Sequence, residues 1–232
     1  RSEQREVSIS YVIALGAYKS SGGSATVSNS LNMSGYSVGD LFVAVVCANK
    51  SISSVSTGWT EVGTKATNPY LGVYTRIADK TTDDDFTVTL SASGTLSVAQ
   101  PLFRSTIGFA DPSVKAGSLV LTSTAASSST SYAAGSTMAA TTADEFGIAI
   151  GGEVSSTTHD ITSAIAGTYF TLDASLNGIY GHHYAVGHKN YAASDTPSVT
   201  FSSGFSSSKY IAHCVLKESA GSGSGIFWTG GA

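Results

Sequence analysis

The sequence predicts an all-β protein, an antiparallel two-sheet β-sandwich of jelly-roll or immunoglobulin-like type built from two related halves. Three observations carry that expectation. Residues 39–48, GDLFVAVVCA, form a nearly unbroken apolar run with Val43, Val45 and Val46 at its centre. A short β-branched run bounded by turn formers is a strand buried on both faces. The run returns in weaker form at 143–152, ADEFGIAIGG, which is the mark of an internal repeat. Finally, no segment keeps a 3.6-residue apolar period, so essentially no helix is expected.

The first half reads as follows. Residues 1–6, RSEQRE, are a charged lead. Residues 7–15 alternate and then turn apolar, giving a strand. A Ser/Gly loop at 20–24 precedes a polar strand at 25–31. The organising strand is 40–48. A short strand at 59–62 follows the Thr57-Gly58 turn. Residues 70–78, YLGVYTRIA, alternate cleanly and form the next strand. An acidic turn at 79–85 leads to strands at 86–90 and 96–103. Pro101 has no N–H to give a ladder, which argues for an edge or a bulge there.

The second half starts after Asp111-Pro112. Polar, Ser/Thr/Ala-rich strands and loops are expected at 118–124 and 132–142, and strands at 146–150, 168–172, 181–187, 198–201 and 210–217. The landmarks run in step, with Asp40 matched to Asp144, Tyr74 to Tyr184, Val88 to Val199 and Val98 to Ile211. The closing strands align as VAQPLFR and IAHCVLK, ending in Arg104 and Lys217. The early strands of the second half are too polar to build a core alone, and the link at 105–117 is short. The expectation is therefore one sandwich over residues 1–218, with halves 7–110 and 111–218. Residues 219–232 form a Gly/Ser linker and aromatic tail.

Composition narrows the function. The chain has 232 residues, enough for a core without disulfides or metals. Ser and Thr exceed a quarter of the residues and charged residues are 12%, which fits short strands with a hydroxyl-rich outer face. A net charge of −4 gives no footprint for nucleic acid or an anionic membrane. No apolar stretch is long enough to cross a membrane as a helix. Cys47 and Cys214 lie far apart in apolar strands. They are two buried thiols or a disulfide tying the first half to the last strand, and the sequence leaves both open.

The succession GDLFVAVV, GWTEV, GVYTRIAD, FTVTLS and SVAQPLFR resembles a β-sandwich unit of tailed-phage genomes and some bacterial surface proteins. In that family a weaker half follows and a last strand like YIAHCVLK closes the unit. The likeness covers residues 7–217, although the second half has no tryptophan where Trp59 stands. It implies a virion-associated structural protein, and it supplies no catalytic residues.

Few residues single themselves out for chemistry. His182, His183 and His188 cluster in GHHYAVGH, but the outer two lie six residues apart on one strand, about 20 Å, too far to share a metal. His159-Asp160 would have to approach from a loop. Asp79 and Asp83 to Asp85 lack the spaced pattern of a calcium loop, so a solvated acidic turn is the commoner reading. Glu61, Glu145, Glu153 and Glu218 sit at strand ends with nothing to mark them as a carboxylate pair. No nucleophile elbow, metalloprotease motif, Walker loop or dinucleotide fingerprint is present. No catalytic residue, metal ligand or cofactor is assigned, and the chain is read as non-enzymatic.

Two sets of binding residues remain. Ile226, Phe227, Trp228 and Thr229 follow the SAGSGSG linker and read as a partner-binding anchor. Trp59, Tyr70 and Tyr74 read as core aromatics or, in the alternative, as a glycan-stacking platform. The expected function is a structural protein of a virion or extracellular assembly, foremost a phage capsid decoration or tail-associated protein. Its partners would be copies of itself or other virion proteins. The alternative is a secreted carbohydrate-binding module or adhesin that contacts surface glycans.

Overall fold

The computed structural model describes residues 9–19, 21–27, 36–79, 85–127, 131–133, 145–154, 171–177, 182–192, 200–202 and 207–219. Every regular element among them is a strand. The first half contains β1 (Ile9–Lys19), β2 (Ser24–Val27), β3 (Leu41–Ala48), β4 (Ile52–Val55), β5 (Thr60–Lys65), β6 (Tyr70–Ile77), β7 (Phe86–Leu90) and β8 (Leu96–Ser105). β9 (Phe109–Val114) follows. The second half contains β10 (Val120–Ser127), β11 (Ser131–Ala133), β12 (Glu145–Val154), β13 (Thr171–Asn177), β14 (His182–Tyr191), β15 (Thr200–Ser202) and β16 (Ser207–Glu218).

Among the described residues all pairings are antiparallel, and they make four sheets where two were expected. A first large sheet has the order β1-β8-β3-β6-β5, and a first small sheet has the order β2-β7-β4. The second large sheet repeats the first as β10-β16-β12-β14-β13, with β9 added beside β16. A second small sheet pairs β11 with β15.

Strand alternation explains the layering. All eight residues of β3 are buried. Leu41, Val43, Val45 and Cys47 point into a core shared by the two large sheets, where they join Phe146, Ile148 and Ile150 of β12 and Tyr210, Ala212, Cys214 and Leu216 of β16. Phe42, Ala44, Val46 and Ala48 point the other way, against Phe86, Val88 and Leu90 of the first small sheet. The first large sheet is therefore covered on both faces, as its unbroken apolar run requires.

Several expectations need correction. β4 (ISSV) and β9 (FADPSV) were not foreseen, because one is half polar and the other contains Pro112. Of the two expectations for Pro101, the edge fails and the irregularity holds. Pro101 sits in β8 between β1 and β3, where the β3 ladder skips the positions opposite Gln100 and Pro101 and β1 bulges at Val12. The match of Tyr74 with Tyr184 also fails. Tyr184 faces the shared core and Tyr74 the opposite side of its own sheet. A one-residue slip in register moves a side chain to the other face. When Gln100 is matched to His213, the facing residues agree, and Asp40 then corresponds to Glu145.

The Gly-Asp turn before β3 is locked by charge. Asp40 is buried and accepts from Arg104 Nε at 2.7 Å and Nη2 at 2.6 Å. It also accepts from the Ser37 N–H at 2.7 Å. Gly39 takes a φ of +92°, which a side chain would resist. The pair ties the start of β3 to the end of β8, and hydrogen bonding to Asp40 raises the guanidinium pKa. Arg104→Ala should lower stability by about 2 kcal/mol, since the carboxylate keeps its burial and loses two charge-assisted bonds. Urea unfolding is the check, and a loss within about 0.5 kcal/mol, typical of an ordinary surface change, would contradict it.

Candidate functional site

Two of the three aromatics, Trp59 and Tyr74, come together on Phe86, but as packing. Trp59 follows the Thr57-Gly58 turn and is 8% exposed. Its ring meets Phe86 edge-on at 4.6 Å between centroids and Phe42 at 6.0 Å. Its Nε1 donates to the Asp85 carbonyl at 3.3 Å. Tyr74 is 3% exposed and packs on Phe86 at 5.7 Å, its ring lying over Gly72, where a Cβ would collide with it. Burial, reinforced by the Glu61 charge, pushes the Tyr74 hydroxyl up to about 12. A stacking platform needs exposed ring faces, and Trp59 and Tyr74 have none to offer. Tyr70 alone of the three is partly exposed. It lines a shallow cleft of about 170 Å³ with Glu61, Thr64 and Lys65. Lys65 reaches out of this cleft to Ser123 Oγ of β10 at 2.9 Å, joining the two halves.

The other sequence candidates disperse. His188 stacks on Phe146 at 5.0 Å, with ring planes 9° apart. His182 and His183 belong to β14, but their side chains lie outside the described residues, as do His159 and Asp160. Asp79 binds Arg76 Nη2 at 3.0 Å, while Asp83 and Asp84 fall outside. Among the described residues, no group of three or more His, Cys, Asp or Glu is placed to hold a metal. Cys47 and Cys214 are both free and buried. Burial pushes Cys214 up to about 12 and Cys47 further, so both are protonated thiols at neutral pH. The tail set, Ile226, Phe227, Trp228 and Thr229, lies outside the described residues.

The structure adds a buried polar group that the sequence reading missed. On the face of the second large sheet turned away from the shared core, Glu153 of β12 lies directly opposite Lys209 of β16, both fully buried. Burial lowers the Lys209 pKa, and the Glu153 charge partly restores it. On the same face the Tyr191 hydroxyl and His213 Nε2 are 2.6 Å apart. His213 is fully buried, and burial lowers its pKa to about 4. Tyr191 also fills the space over Gly147, where a Cβ would come within 2.2 Å of its ring. One sequence signal was available: the closing strands VAQPLFR and IAHCVLK carry a lone neutral-polar residue, Gln100 or His213, at the same place, and both are fully buried.

No family model, curated protein or solved structure matches the chain.

Proposed function

We propose that the chain is a non-enzymatic structural protein of a virion or other extracellular assembly, foremost a phage capsid decoration or tail-associated protein. The observation behind this reading is the strand order. In the first half, β1-β8-β3-β6 stands against β2-β7-β4, and in the second, β10-β16-β12-β14 accompanies β11-β15. This order is compatible with a jelly roll, an architecture used in capsid and lectin domains, and that likeness supports the reading. Two such units joined back to back through one apolar core make a rigid block suited to assembly. The warrant is architectural and leaves chemistry to the site.

In this reading the tail around Ile226 to Thr229 docks on a neighbouring copy. Ser219 is part of the fold, because its N–H donates to the Gly108 carbonyl at 3.0 Å and its Oγ to the Phe109 carbonyl at 2.8 Å. A truncation must therefore start after it. Removing residues 220–232 should leave the melting temperature unchanged and weaken self-association by at least about tenfold, as read by sedimentation over a concentration series. A full-length chain that stays monomeric throughout, or a truncated chain that associates equally well, would refute the docking role.

A further inference from the structure

A cleft of about 190 Å³ opens where the first half hands over to β9. The Thr57-Gly58 turn and the β5–β6 hairpin form one side, and Ala110, Asp111 and Ser113 form the other. Its polar lining is Thr60, Thr75, Arg76, Asp79, Asp111 and Ser113.

Thr75 is 4% exposed and Ser113 is 5% exposed, and neither hydroxyl bonds to another protein group among the described residues. Neither oxygen is sealed inside the protein, so both have only the cleft to turn to for a partner. Thr75 continues the β6 face on which Leu71 and Val73 enter the shared core. A valine would suit that face and has the same shape, so packing does not call for a hydroxyl there. Arg76 is held in place beside them. Its guanidinium rests over Gly58, whose φ is +87° and where a Cβ would stand 3.3 Å from Nη1, and Nη2 donates to Asp79.

We propose that this cleft binds one sugar residue of a neutral glycan through neighbouring hydroxyl groups. Each sugar hydroxyl both donates and accepts. Asp79 and Asp111 can accept from adjacent hydroxyls, Arg76 can donate, and Thr60, Thr75 and Ser113 can do either. The mixture of signs selects the class. A bare cation would meet the Arg76 guanidinium, and an anion would meet two carboxylates, whereas a neutral polyhydroxy ring satisfies both. The volume is below the roughly 300–1,000 Å³ of pockets for drug-sized ligands and suits a single ring. The site lies apart from Trp59, Tyr70 and Tyr74, and it holds whether or not the chain assembles as proposed above.

The test is titration calorimetry and saturation-transfer NMR on the full chain with a panel of neutral monosaccharides and short glycans. At least one should bind with a dissociation constant of about a millimolar or tighter. Asp111→Asn, at an exposed position, and Thr75→Val should each weaken it about tenfold or more. If Thr75→Val lowers the melting temperature, Asp111→Asn alone decides. Binding of no sugar in the panel would overturn the proposal, and so would undiminished binding by the Asp111→Asn chain. Uptake of calcium without any sugar would instead assign the cleft to a cation and equally overturn it. Self-association is read independently, so failure here leaves the assembly experiment intact.

Discussion

Trp59→Ala is expected to destabilise the protein by about 3–5 kcal/mol, the cost of deleting a large buried aromatic. Trp59 is the keystone of the space between the first large sheet and the first small one. It touches Phe86 on one side and Phe42 on the other, and its ring N–H ties the approach to β7 through the Asp85 carbonyl. Alanine would leave a cavity bounded by strands from two sheets, which cannot both collapse into it. For a chain of this length the melting temperature should fall on the order of 10 °C. Trp59→Phe keeps most of the buried area and loses the hydrogen bond, so it should cost clearly less. Equal losses for the two variants, or a loss below about 1 kcal/mol for alanine, would remove Trp59 from the core.

The second large effect is a loss of stability in mild acid set by His213. Its native pKa is about 4 because burial opposes the charged ring. In the unfolded chain it returns to an ordinary value near 6.5. Between those values the unfolded chain binds the extra proton and the folded chain does not, so stability falls as pH falls. Above about pH 6.5 the histidine has no effect, and the full loss, about 3 kcal/mol, is reached near pH 4. The described groups on its face include Tyr191, Lys189, Glu145 with its partner Lys115, and Glu153 and Lys209. The last two form an oppositely charged cross-strand pair, so they supply no net negative charge to favour the imidazolium. His213→Gln copies the residue that the first half uses at this place, Gln100. It should remove this part of the acid slope while leaving the carboxylate contribution common to both chains. Unfolding free energies at several pH values between 4 and 7 make the comparison, and parallel curves for the two chains would count against it.

The sequence disclosed the strands whose apolar residues alternate or run unbroken. β3, β6, β7 and β8 fall within a few residues of their expected bounds, because burial on one or both faces leaves a periodic trace. β4 and β9 leave no such trace. One is held by pairing to β7 and the other by pairing to β16, and backbone pairing is indifferent to side-chain type. The repeat was visible, but its register was misread, by one residue at Asp40 and Asp144 and by three at Tyr74 and Tyr184. Matching conspicuous residues ignores the face each one occupies, which is what a sheet constrains. Glu153 was left without a role and Lys209 passed over, because a charged residue in a strand reads as exposed until a second layer covers it. The cleft of Thr75 and Ser113 was illegible for a related reason. Its residues are separated along the chain, and two hydroxyls among so many carry no signal.

The first and last described strands begin and end at one corner. Ile9 pairs with Ser105, and Ser219 bonds Gly108, while the Ser105 hydroxyl donates to Glu218 at 2.6 Å. Tension applied through both strand ends therefore enters and leaves over a few residues, bypassing the three-sheet interior. The strands of the shared core would bear little of such a load. Yielding would start at the corner, where the Ile9–Ser105 and Ser219–Gly108 pairings open one after another, while the two stacked halves stay intact.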